Sequence, residues 1–75
     1  MTFETVKKII AAQFKIPESA ILEDSHIFND LKFDSLDAVE LIIALEEHYN
    51  IELLDREADN IQTITEVINL INSKI

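Results

Sequence analysis

Apolar residues recur at helical spacing in three stretches of the chain. Phe3, Val6, Ile10 and Phe14 fall on one face of a helix running from Phe3 to Phe14, with Thr2 placed to cap its N-terminus. Pro17 then restricts Ile16 to extended backbone and stops the helix. A second periodic stretch begins after Asp34 and continues to Tyr49, where Asn50 can end it. Asp34 and Asp37 stand at the spacing of an N-cap and its N3 partner, and both put negative charge at the electropositive end of the helix. A short acidic turn, Asp55 to Asn60, precedes the third stretch. There Thr63 and Glu66 have capping-box spacing, and Val67, Ile68, Leu70 and Ile71 carry the apolar face toward Ile75.

The segment from Ile16 to Phe33 has no sustained period. Polar turn formers alternate with isolated Ile21, Leu22, Ile27, Phe28 and Leu31, a pattern expected of a long loop pinned to the core at several points, with room for a short helical turn near Pro17 to Ile21. A loop of that length in so small a domain points to a positioned functional segment. Ile51 to Leu54 has strand character, but no second alternating segment exists to pair with it. The chain has no glycine, and its single proline lies outside every helix, which also argues against a hairpin-rich fold. The expected fold is all-α: a small antiparallel four-helix bundle with three longer helices, one short helix and a long first loop, forming a single domain over residues 1–75.

The second helix carries more apolar surface than a core needs. At about 100° per residue, Ala38, Leu41, Ile42, Leu45 and Tyr49 gather on one broad face suited to burial. Leu36, Val39 and Ile43 form a second strip to one side, with Glu40 and Glu47 on one flank and Glu46 on the other. Two readings are open for this strip: a docking surface with an acidic rim, or packing beneath the long loop or the acidic turn.

Charge narrows the function classes. Fifteen acidic residues against six basic ones give a formal net charge of -9, which repels nucleic acid and anionic headgroups and favours basic protein surfaces. Between Phe33 and Asp55 there is no lysine or arginine, so the helix forgoes the ion pairs that would have supported it. An apolar fraction of 48% is too high for a disordered acidic tail and sufficient for a folded core. No apolar run approaches the roughly 20 residues that span a bilayer, and the opening MTFETVKKIIAAQF reads as part of the domain rather than as a secretion or transit signal.

Candidate chemistry within the chain is sparse. With no cysteine there is neither a disulfide nor a thiolate nucleophile, and no nucleophile has a base at plausible spacing. His26 and His48 lie outside any metal-ligand spacing, and the carboxylates near Asp34 and Asp37 allow at most loose surface binding of a divalent cation. Ser35, in the first turn of the second helix, is where free backbone N–H groups would stabilise an attached phosphate; the alternative is a serine that simply tolerates a helix start.

Asp34-Ser35-Leu36-Asp37, followed by Ala38-Val39-Glu40-Leu41 and Ala44-Leu45-Glu46-Glu47, resembles the attachment motif and recognition helix of acyl carrier proteins of the type II fatty acid synthesis kind. The resemblance extends over nearly the whole chain. It implies that Ser35 is joined through a phosphodiester to 4′-phosphopantetheine derived from coenzyme A, placed there by a phosphopantetheinyl transferase (holo-carrier synthase). The thiol of that arm would carry acyl groups as thioesters between fatty acid synthesis enzymes and acyltransferases with basic docking patches. By the same resemblance Asp34, Leu36, Asp37, Val39, Glu40, Ile43, Glu46, Glu47, Glu57 and Asp59 form the partner-binding surface. Leu41, Leu45, Leu54, Ile61 and Ile68 are implied as the lining of an acyl pocket, with ordinary core packing as the other reading. The implied protein is a cytoplasmic monomer with no enzymatic activity, no resident metal, no nucleic-acid partner and no membrane span. Aminoacyl or polyketide carriers share the serine and the arm, and an unmodified acidic helical adaptor is the competing class. One departure stands out: Lys32 and Phe33 occupy positions where most fatty-acid members have a glycine and a small residue.

Overall fold

A computed structural model describes residues 2–75. Its helices are α1 (Thr2–Phe14), α2 (Ser35–Tyr49), the short α3 (Asp55–Asp59) and α4 (Ile64–Lys74), with a 3-10 turn at Glu18–Ala20. Among the described residues there is no strand, only an isolated bridge between His26 and Thr63. The architecture is the expected small helical bundle: four helices, three of them long.

The apolar periods bury as expected. Val6 and Ile10 of α1, Leu41 and Leu45 of α2, and Ile64, Val67 and Ile71 of α4 form the centre of the core. Phe3 and Phe14 pack against them from the two ends of α1, which contacts both α2 and α4. Thr2 is a correction to the sequence reading, because it already has helical backbone. Its hydroxyl donates to Asn72 Oδ1 at 2.8 Å instead of capping the helix, tying the start of α1 to the end of α4.

The helix ends follow their local chemistry. Asn50 ends α2 in the left-handed region at φ 54°, ψ 50°, a geometry that asparagine tolerates better than most residues. Thr63 Oγ1 accepts from Glu66 N at 3.3 Å while Glu66 Oε1 accepts from Thr63 N at 3.0 Å, so the second capping box closes reciprocally. Lys15 and Lys32 are also left-handed, at φ 58° and 62°. A chain without glycine holds these bends with lysine, at a steric cost of about 1–2 kcal/mol each.

The long loop is stitched to the start of α4. Ile27 N donates to Gln62 O at 2.7 Å, Ile64 N to Ser25 O at 3.1 Å, and Thr65 N to Glu23 O at 2.8 Å. Ser25 is buried, with its hydroxyl accepting from Leu22 N at 2.9 Å. His26 gains a structural role: its Nδ1 accepts from the backbone N–H groups of Phe28 (3.2 Å) and Asn29 (3.1 Å), holding the turn. Ile21, Ile27 and Phe33 pin the loop to the core, and Leu31 is partly buried against it. Leu22 and Phe28 are corrections: both point outward, because the turns at Leu22–Ser25 and His26–Asp30 rotate them off the core.

The Tyr49 hydroxyl is buried and, among the described residues, has no hydrogen-bond partner. A desolvated, unpaired hydroxyl is destabilising, whereas the ring beneath it packs on the core. Tyr49→Phe is therefore expected to raise unfolding stability by about 1 kcal/mol in urea denaturation. Unchanged or lowered stability would show that the hydroxyl finds a partner in solution.

Candidate functional site

The first turn of α2 is built by its two aspartates. Asp34, extended at φ -99°, ψ -176°, accepts from Asp37 N through Oδ1 at 2.8 Å, and Asp37 Oδ2 accepts from Asp34 N at 3.2 Å. This reciprocal box satisfies two groups that a helix start would otherwise leave open. It also frees Ser35 from capping duty. Ser35 is the first helical residue, it is exposed, and among the described residues its hydroxyl has no hydrogen-bond partner. As the first two residues of the helix, Ser35 and Leu36 have backbone N–H groups that, among the described residues, the intrahelical pattern leaves without a carbonyl partner, an arrangement that favours an anion attached at Ser35.

The residues in front of the box anchor it. Phe33 is buried, its ring centroid 4.4 Å from that of Phe14, and its N–H donates to Ile27 O at 3.1 Å. The bulk that replaces a small residue here thus faces the core. Lys32 stays exposed at the left-handed bend just before it.

The second apolar strip of α2 lies in the open. Leu36, Val39 and Ile43 are 64%, 53% and 48% exposed, so the loop and α3 leave much of the strip open to solvent. Asp34, Glu40 and Glu47 are exposed around them, and Asp59 is exposed on α3. Asp37, Glu46 and Glu57 are half-buried and already engaged. Glu46 Oε2 accepts from Leu53 N at 2.9 Å, bracing the 51–54 segment against α2. Glu57 Oε1 accepts from Leu54 N at 3.0 Å and pairs with Lys74 Nζ at 2.9 Å, tying α3 to the end of α4. The hydrogen bond from Leu54 N–H, followed by the Lys74 ammonium, holds the Glu57 carboxyl below the ordinary value of 4.5. Among the described residues no group of three or more metal-ligating side chains converges.

An open cleft of about 540 Å³ begins at Ser35 and runs between α2 and α3. Ala38, Val39, Ile42 and Ile43 form its α2 wall, Leu53, Ala58 and Ile61 the facing side, and Phe28 one edge. Of the five residues named for an acyl pocket, Ile61 lines this cleft. Leu41 and Leu45 sit in the core behind it, Ile68 is partly buried against that core, and Leu54 is exposed at the start of α3. Phe28, Ile42, Leu53 and Ala58 escaped the sequence reading because their convergence depends on how α3 is held against α2. The only advance signal was an isolated phenylalanine within a polar loop. A second depression of the same volume is lined by Phe3, Lys7, Leu22 and neighbours and contains none of the expected site residues.

Two of the engaged carboxylates make measurable predictions. Glu46→Ala leaves the Leu53 N–H without its acceptor and is expected to cost about 1–2 kcal/mol, with faster hydrogen exchange at that amide, while Glu47→Ala stays within about 0.5 kcal/mol. For Glu57, a lowered folded pKa means stabilisation that is present above the unfolded value and lost as pH falls through the folded one. Glu57→Gln should therefore melt below the parent at pH 7, and the gap should close as the pH is taken well under 4.5. A gap independent of pH would exclude the charge as its cause.

Comparison with known proteins identifies the family. The phosphopantetheine attachment site family matches residues 4–71. The acyl carrier protein of Clostridium acetobutylicum is 47% identical over 73 residues, covering 97% of this chain and 95% of that one. Those of Thermosynechococcus vestitus and Helicobacter hepaticus are each 40% identical over 72 residues, covering 96% of this chain and 89% and 95% of theirs. With a family match over nearly its whole length, the chain belongs to the acyl carrier proteins, non-enzymatic carriers that bear a covalently attached 4′-phosphopantetheine.

Proposed function

We propose that the arm is attached at Ser35 and that the chain carries acyl intermediates on it, as thioesters, between the enzymes of fatty acid biosynthesis. The observation that carries this reading is the exposed, unbonded Ser35 hydroxyl at the first position of a helix whose cap is already supplied by Asp34 and Asp37. A phosphodiester at Ser35 Oγ meets the open N–H groups of Ser35 and Leu36 without displacing a structural hydrogen bond. When bound, the group supplies the thiol that a cysteine-free chain lacks.

The chain's own residues then have two tasks. The exposed strip of Leu36, Val39 and Ile43 offers apolar contact to successive enzymes and to the phosphopantetheinyl transferase. Asp34, Glu40, Glu47 and Asp59 guide basic patches onto it, with Asp37, Glu46 and Glu57 adding charge while bracing the fold. Contacts of this kind associate fast and part fast, as a monomeric shuttle requires. The cleft that opens at Ser35 offers an apolar refuge for the cargo, with Ile42, Leu53 and Ile61 as its walls. Among the described residues no helix is long and apolar enough to cross a membrane.

The test is intact mass after incubation with coenzyme A and a broad-specificity phosphopantetheinyl transferase, beside Ser35→Ala. The expected result is one added phosphopantetheine on the parent, none on Ser35→Ala, and the same thermal midpoint for both unmodified chains within a few degrees. An unmodified parent, under conditions that load another carrier, would remove the assignment and leave an acidic docking domain.

A further inference from the structure

We infer that Lys32 holds the phosphodiester of the arm, acting as its counter-ion on the protein; this rests on attachment at Ser35. Attaching the group adds a negative charge to a neighbourhood that already contains Asp34 and Asp37. Both carboxylates are committed to the helix cap, and neither can donate to a phosphate oxygen. The open N–H groups at the helix start supply donors but only partial charge. Lys32 is the only lysine or arginine between Lys15 and Arg56. It is exposed, and among the described residues it makes no ion pair or hydrogen bond, unlike Lys7 and Lys74, which are paired with Glu4 and Glu57.

Backbone geometry puts that free ammonium within range. Phe33 is buried against Phe14, whereas Lys32, Asp34 and Ser35 on either side of it are exposed. Lys32 precedes Ser35 by three residues, a separation of at most about 10 Å in fully extended chain, and a flexible four-carbon stem covers much of that. Anchoring of Phe33 on both its ring and its N–H fixes the backbone root of the lysine beside the helix start. The left-handed backbone at φ 62° would be unstrained with glycine; lysine adds a steric cost there together with a charge. Lys32 is thus a positioning residue: it restrains the root of the arm and offsets the charge that modification introduces.

The test uses the modified protein and reads no activity. Parent, Lys32→Gln, Lys32→Arg and Lys8→Gln chains are loaded with coenzyme A and a phosphopantetheinyl transferase. Loading is verified by intact mass, and the ³¹P resonance and lysine Nζ signals are recorded with and without the arm. The expected result is a Lys32 Nζ signal that moves on loading and a ³¹P resonance displaced in Lys32→Gln but restored in Lys32→Arg and unaffected by Lys8→Gln. The displacement should shrink in 1 M salt, where screening acts over about 3 Å. A fully loaded parent whose Lys32 signal does not move, and whose ³¹P resonance matches that of Lys32→Gln, would overturn the ion pair while leaving Ser35 attachment intact. A parent that takes up no mass would overturn both.

Discussion

The burial of Phe33 against Phe14 decides where α2 begins. Phe14 closes the last turn of α1, and Phe33 is the last residue of the loop before the Asp34 cap. Their contact fixes the chain on the core one residue ahead of the cap and two ahead of Ser35. Without it, the helix start would depend on the partly buried Leu31 and on Ile21 and Ile27, the fully buried loop anchors, which lie well upstream. With it, the capping box forms at a set place, and the hydroxyl that follows points to solvent with no structural task. A bulky residue where the family resemblance leads one to expect a small one therefore anchors the helix start and leaves Ser35 exposed.

The carboxylates divide between holding the fold and facing outward. A formal charge of -9 on so small a globule works against the folded state, and two ion pairs, Lys7 with Glu4 and Lys74 with Glu57, relieve it locally among the described residues. Most of the engaged acids instead accept backbone N–H groups: Asp34, Asp37, Glu46, Glu57 and Glu66 each satisfy a donor at a helix start or loop. Charge-assisted hydrogen bonds of this type are stronger than neutral ones, so part of the acidity that repels itself also closes the helix ends. Glu40, Glu47 and Asp59 remain outward and uncommitted, around the apolar strip.

Local rules made much of this legible in the sequence. The boxes at Asp34 and Asp37 and at Thr63 and Glu66 form as their spacing implies, Asn50 turns left-handed to end α2, and Val6, Ile10, Leu41, Leu45, Val67 and Ile71 bury as their periods require. Thr2 failed as a cap because its partner, Asn72, lies at the far end of the chain. Leu22 and Phe28 failed as pins because apolar character alone does not say which way a turn rotates a side chain. Glu46 and Glu57 read as surface charge since their acceptor roles depend on the 51–54 segment and α4 coming to them. The cleft was the least legible feature, being a property of the gap between α2 and α3 and not of either helix.

An exposed apolar strip on a small protein invites self-association, and the arrangement of charge explains how this chain can keep one. Leu36, Val39 and Ile43 would meet their own kind only if two acidic surfaces approached, with Glu40 and Glu47 opposed to their counterparts across the contact. Like charges brought together in this way oppose association, and they do so without weakening contact with a basic surface. In the proposed docking role, the same groups that discourage a second copy would also select the partner. Selection by charge would also limit residence, because a rim of solvated carboxylates contributes more to encounter than to retention. In the proposed docking role, apolar area would set how tightly the surface holds and the acidic rim what it holds, and the absence of lysine and arginine from α2 keeps the two from cancelling within the helix itself.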